Sequence, residues 1–163
     1  SCNKKKLHGS LEMGDAETAL DLLKDFRKRQ EQRAKTYAEM GVFFKKYLED
    51  YDLKRYQSLC KAVTTKFQQI GKDILVIEEK LRTAGKVGWA SMIRKIQKAE
   101  KEKLQLTVKT QVLQTKYIVD RSAKEDPAYQ EQLKKGRVRM SEIIEEINDV
   151  LEEIKYIIHD GDL

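Results

Sequence analysis

Proline is nearly missing from this 163-residue chain, which has one, Pro127. Long stretches of backbone therefore contain nothing that breaks a helical hydrogen-bond ladder. Cysteine is equally scarce: Cys2 and Cys60 are too few for a disulfide framework and fit a reduced, intracellular chain, in the nucleus or the cytoplasm. The longest aliphatic run is Ile74-Leu75-Val76-Ile77, far short of the roughly 18 apolar residues that a membrane span needs. Ser1-Cys2-Asn3-Lys4-Lys5-Lys6 lacks the apolar stretch that follows the basic start of a secretory leader. Eight glycines without a triplet period exclude a collagen-like chain.

What is abundant is charge, at 37% of residues, alongside 40% hydrophobic residues. A length of 163 residues suits one domain, since roughly 100–200 is usual. Residues 1–14 read as a flexible tail, in which Gly9-Ser10-Leu11-Glu12 looks like a cloning linker. Residues 15–163 read as a single helical-bundle domain. Met13-Gly14-Asp15-Ala16-Glu17-Thr18 formally fits a myristoylation signal, but Asp15 is the more natural N-cap of a first helix.

That helix carries Ala16, Leu20, Leu23 and Phe26, then Ala34, Tyr37, Met40, Phe44, Leu48 and Tyr51 on one face. The stripe between these blocks passes through polar Gln30 and Arg33. Leu53, Tyr56, Cys60, Val63, Phe67, Ile70, Ile74, Ile77 and Leu81 alternate by three and four, the 3.5-residue period of a left-handed supercoil. Asp52 is the expected N-cap of this second helix. The very short connection predicts an antiparallel hairpin with the first, the alternative being one rod through Asp50-Tyr51-Asp52. Gly85 and Gly88 end the second helix through positive φ.

A third helix from about Trp89 to Asp120 uses Trp89, Ile93, Ile96, Leu104, Val108, Val112 and Ile118, with Leu106, Leu113 and Tyr117 on a neighbouring face. Its stripe breaks at Glu100-Lys101-Glu102-Lys103, where packing should loosen. Asp126-Pro127 opens the fourth helix, with the acid as cap and proline at the first position. There Leu133, Gly136, Met140, Ile143, Ile147, Val150, Ile154 and Ile157 alternate again, and Gly161 is a C-cap candidate. The predicted fold is all-α: an antiparallel bundle of four long helices with coiled-coil-like packing.

Chemistry is thin. His8 and His159 sit near opposite ends, no phosphate-binding glycine loop exists, and position 156, where a di-iron Glu-x-x-His would need an acid, is Tyr156. Cys60 lies on the core stripe without a neighbouring base and reads as a packed thiol. Glu142, Glu145, Glu146, Asp149, Glu152 and Glu153 read as a solvated face rather than metal ligands. The expectation is therefore a non-enzyme with no cofactor and no metal site.

Net charge is +6, unevenly placed. The last twenty-two residues hold eight acids against Lys155, a net −7, so the remainder carries +13. Acidic and basic helices can neutralise each other inside one fold, or the acidic end can compete with polyanions for the basic body. The basic candidates for nucleic-acid contact are Lys24, Arg27 and Lys28 on helix 1, with Arg94, Lys98, Lys101 and Lys109 on helix 3. Such rows neutralise phosphates without reading sequence.

Gln32-Arg33-Ala34 followed by Tyr37, Tyr51-Asp52 leading into Tyr56, and Glu102-Lys103-Leu104-Gln105-Leu106-Thr107 resemble the Required-for-Excision 1-B domain family over about Leu22 to Tyr117. The resemblance does not extend to helix 4. It implies a small eukaryotic DNA-repair-associated protein without assigned enzymatic activity, and brings no catalytic residues. Two functions follow as expectations. One is a helical accessory protein of DNA excision repair acting through protein contacts and weak, non-specific DNA contact. The other is a structural or adaptor coiled-coil protein of the cytoplasm or cytoskeleton, unrelated to DNA. A protein partner is expected in either case, nucleic acid is the second candidate partner, and a homo-oligomer stays open.

Overall fold

The computed structural model describes residues 2–161, with side chains described for 19–122 and 124–161. Four helices follow one another: α1 (Cys2–Asp50), α2 (Leu53–Thr83), α3 (Val87–Val119) and α4 (Pro127–Gly161). A short 3₁₀ turn, Arg121–Glu125, joins the last two, and no strand occurs among the described residues. α1 begins at Cys2, so Asp15 lies inside the helix and is not its N-cap as expected; the side chains of the expected tail over 1–14 lie outside the described set.

Cross-helix pairs fix the topology. Glu39 pairs with Lys66 and Arg29 with Asp73, so α1 and α2 run antiparallel. Glu78 with Arg94 and Tyr56 with Gln111 set α3 antiparallel to α2. Glu102 with Arg139 and Tyr117 with Tyr129 do the same for α4 on α3. The result is an up-down-up-down bundle in which α1 packs closely on α2 and α3 on α4, while the α1–α4 seam is much sparser.

The ends of the helices have local causes. Tyr51 takes φ 56°, a left-handed conformation uncommon for a side chain of its size, and turns the chain back between α1 and α2. Asp52 caps α2 by accepting from the Arg55 N–H at 3.1 Å. The hairpin is therefore formed and the single-rod alternative is excluded. Gly85 takes φ 80° after α2; Gly88, expected to share that role, lies inside α3. Asp126 accepts from the Ala128 N–H at 3.0 Å ahead of Pro127.

The core is concentrated in one half of the bundle. Leu23 and Phe26 meet Ile74, Leu81, Ile93, Ile96, Ile143 and Ile154 there, all essentially without solvent contact. The other half is thinner, held by Met40, Phe44 and Val63 and by the stacked Tyr47 and Tyr56 rings, 4.7 Å apart. Several expected core positions are corrected. Leu53, Val108 and Val112 are exposed, as are Ala34 and Tyr51. After the break at Glu100–Lys103, α3 turns Leu106, Thr110, Leu113 and Tyr117 inward, and that rotation carries Val108 and Val112 out to solvent.

Candidate functional site

The two polar interruptions read from the sequence meet in space. Arg33 of α1 is 6% exposed and Glu100 of α3 is also 6% exposed. Burial of two charges is tolerable only when they are offset and hydrogen-bonded. Arg33 donates to Gln30 Oε1 at 3.0 Å and to Gln97 Oε1 at 2.5 Å. Gln30 in turn donates to Glu100 Oε1 at 2.7 Å. Buried Thr36 is satisfied within α1 by the Gln32 carbonyl, and the Tyr37 hydroxyl approaches the Glu100 carbonyl at 3.4 Å. This belt separates the thick half of the core from the thin one.

Burial lowers the affinity of the Arg33 guanidinium for its proton, and the negative charge of Glu100 opposes that effect. The Tyr37 phenol is pushed well above its ordinary value by burial first and by Glu100 second. One atom of the belt is left over: Glu100 Oε2 is buried and has no hydrogen-bond partner.

That oxygen belongs to a residue lining a groove of about 490 Å³ between α1 and α4. Tyr37 of α1 and Glu100 and Lys103 of α3 line it, with Ile144, Ile147 and Leu151 of α4 as its apolar lining. Lys103 holds its ammonium 4.2 Å from the centroid of the Tyr37 ring. Arg27, Glu31 and Ala34 form the α1 lip, with Asn148, Glu152 and Lys155 opposite. The groove exists because the α1–α4 seam is the one where the bundle closes least tightly. Periodicity missed it, since it treats a polar position on a stripe as a defect and is blind to polar positions of different helices meeting.

The seven basic candidates are not one surface. Arg27 lines the groove, Lys28 is exposed nearby, and half-buried Lys24 is engaged by its surroundings. Arg94 is committed elsewhere: its Nε and Nη2 donate to the two carboxylate oxygens of Glu78 at 2.8 and 2.5 Å. Glu78 is 0% exposed, so Arg94 fastens α2 to α3. Lys98, Lys101 and Lys109 stand on the outer face of α3, exposed and outside every ion pair among the described residues. Val108 and Val112 share that face.

On α4, the acidic face is partly tied down. Arg139 donates its Nε and Nη2 to Glu102 of α3, and its Nη1 reaches Glu142 at 3.0 Å and Glu146 at 3.3 Å. Its hydrogen bonds to Glu102 first and to Glu142 second raise the Arg139 pKa. Cys60 is half-buried, and His159 is exposed.

Comparison with known proteins adds one match. A family model described as DNA repair REX1-B matches residues 21–114. No curated protein and no solved structure matches the chain. The matched span takes in α1 from Asp21, the whole of α2 and most of α3, including the polar belt residues Gln30, Arg33, Gln97 and Glu100. Because it covers more than half of the sequence, the chain belongs to the DNA repair REX1-B family.

Proposed function

We propose that this protein is a non-enzymatic accessory factor of DNA excision repair in the nucleus, acting through protein contacts and through weak, non-specific contact with duplex DNA. The observation that carries the reading is the outer face of α3. Lys98 and Lys101 are three residues apart and Lys109 is eight further on, and all three ammonium groups project into solvent without a carboxylate partner. Free ammonium groups in a row release counterions from a phosphate backbone, which gives affinity without sequence reading. Val108 and Val112, exposed one turn apart on the same face, supply apolar area for a protein partner. Family membership supports the repair association. Arg94 leaves the set of DNA-contacting residues because Glu78 holds it.

The test is a salt titration of duplex binding with the Lys98→Gln, Lys101→Gln, Lys109→Gln triple variant. The plot of log affinity against log salt should flatten by up to about 0.9 per lost phosphate contact. An unchanged slope rejects this face as the DNA contact. Absence of duplex binding together with capture of a helical partner would favour the adaptor coiled-coil reading instead.

A further inference from the structure

We infer that the thin half of the bundle holds a docking slot between α1 and α4 for a fifth helix, an amphipathic partner helix whose flanks are acidic. The slot lies where the loosely closed α1–α4 seam runs toward the α1–α2 turn. Two hollows of about 300 and 350 Å³ adjoin there and share Gln114 and Leu133 in their linings. Phe44 and Leu48 of α1 form one wall, and Tyr129, Leu133 and Met140 of α4 form the other. The floor is α3 from Thr107 to Ile118, a span of about 16 Å or roughly three helical turns.

A helix fits this lining better than a compact ligand does. Tyr129, Leu133, Gly136 and Met140 step by four, three and four along α4, and Thr107, Thr110, Gln114 and Tyr117 step by three, four and three along α3. Such spacing sets out a row of holes for the knobs of another helix laid along both. The α1 edge is open to it as well. Gly41 lies one turn before Phe44, on the face that Ala34 and Phe44 turn to the seam, and a β-carbon added there would meet nothing within 4 Å. No α4 side chain covers that backbone, so a helix can approach it closely.

Charge selects the kind of helix. The charged residues lining the two hollows are Arg137 and Lys124, and no acid is among the lining residues. The neighbouring sequence is equally one-sided: α4 carries no acid from Gln132 to Ser141, and Lys45 follows Phe44 on the α1 edge. Lys45, Lys134 and Arg137 are exposed and have no carboxylate partner among the described residues. Cations on both rims of an apolar slot complement a helix with an apolar seam and carboxylates beside it, the arrangement by which flanking charges choose helical partners. Duplex DNA would engage the cations but leave the apolar lining uncovered. The slot gives the protein contact of the proposed function a partner type and rests on that reading. It shares no residue with the Lys98–Lys101–Lys109 face, so the DNA titration and the experiment below fail separately.

The experiment selects helical peptides of about 18 residues on the full chain, from a display library with a fixed apolar stripe and flanks randomised among Glu, Lys and Gln. Enrichment of Glu-flanked peptides is expected, with NMR shifts on the side-chain amides of Gln111, Gln114 and Gln130, which line the slot. Gly41→Trp fills the slot from the α1 edge and should abolish binding of the selected peptides while preserving the circular dichroism spectrum. Lys134→Glu together with Arg137→Glu, both at exposed positions, should weaken binding at least about 5-fold at low salt. That difference should shrink in about 1 M salt, where charges are screened over roughly 3 Å. Should Gly41→Trp not fold, the charge-reversed pair and the glutamine shifts decide. No enrichment, enrichment of Lys-flanked peptides, or binding unchanged by these variants would overturn the proposal. Duplex DNA that shifts Gln111 and Gln114 while no peptide is enriched would assign the slot to nucleic acid and overturn it as well.

Discussion

Removing Arg94 should destabilise the bundle strongly, although part of its side chain reaches solvent. Glu78 contributes a carboxylate with no solvent exposure, and Arg94 supplies both of its close donors, at 2.8 and 2.5 Å. Among the described residues, Arg82 is the only other cation paired with it, at 3.7 Å and beyond hydrogen-bond range. Arg94→Met keeps the aliphatic stem and deletes the donors, stranding a buried charge. Breaking a buried pair from one side costs about 3–5 kcal/mol, and the residual attraction of Arg82 places this case near the lower end. About 3 kcal/mol corresponds to a fall in Tm of roughly 6–12 °C at this chain length. Urea denaturation read by circular dichroism gives the loss directly as a lower midpoint with an unchanged slope. The paired variant Glu78→Met, Arg94→Met removes both charges and should lie within about 1 kcal/mol of wild type. A single variant that loses less than about 1 kcal/mol, or a double variant no more stable than the single, would refute the assignment of Arg94 as the partner that makes Glu78 tolerable.

Ile74→Ala, at a position without solvent exposure between α1 and α3, should cost about 2–5 kcal/mol in the same urea assay. Gly136→Ala should stabilise by about 0.5–1 kcal/mol, because the added methyl meets Leu106 and Thr110 at ordinary distances of 3.7 and 3.8 Å; a lower midpoint would show that the α3–α4 seam is tighter than it looks. Alkaline stability should depend on Tyr37, whose folded pKa is raised by burial: the fold favours the neutral phenol, so its contribution is full below about pH 10 and is lost as pH rises from there toward the folded value. Tyr37→Phe should flatten the loss of stability above pH 10, and an unchanged profile would place the titration elsewhere. In hydrogen exchange, amides of Ile74–Leu81, Ile93–Ile96 and Ile147–Ile154 should be the slowest, while those of Leu53–Cys60 and Val108–Val119 exchange through local opening; uniform protection would contradict the uneven core.

The fold was legible where one helix sufficed to show it. The three-four alternation of α2 and α4 identified Ile70, Ile74, Ile77, Leu81, Ile143, Ile147, Val150 and Ile154 as buried, because a side chain's face on a regular helix follows from its position alone. Asp52 and Asp126 were equally readable, since capping is local chemistry. Errors began where a stripe changed register. Val108 and Val112 continue the period of Leu104, but nothing in α3 by itself says which of two neighbouring faces the partner helices will cover. The candidate site was less legible still. Gln30, Arg33 and Glu100 stood out as interruptions, yet their meaning depends on α1 and α3 presenting polar groups at the same level of the bundle. Arg94 shows the same limit: a surface-like lysine row and a clamp on a buried glutamate look alike until Glu78, sixteen residues earlier, is known to face it.

The family match and the core do not have the same boundaries, and the mismatch carries a physical consequence. Residues 21–114 include the belt, α2 and most of α3, but not α4. Yet Ile143, Ile147, Val150, Ile154 and Ile158 of α4 belong to the same buried cluster as Leu23, Phe26, Ile74 and Ile93. Without them the matched segment would leave a continuous apolar face open along its thick half, and no small domain stays soluble and ordered with such a face uncovered. The matched segment therefore requires a fourth apolar helix, and α4 fills that place here. Its outward side is free of that constraint, because only the isoleucine and valine stripe has to meet α1 to α3. The acids at Glu145, Asp149, Glu152 and Glu153 are exposed and can change without disturbing the core, whereas Glu142 and Glu146 are held by Arg139 at the α3 seam. The groove sits between these two regimes, with Glu100 and Tyr37 from the matched segment and Ile144, Leu151 and Lys155 from α4. Its floor is tied to the polar belt by a hydrogen bond, while its far wall is shaped by the helix outside the match.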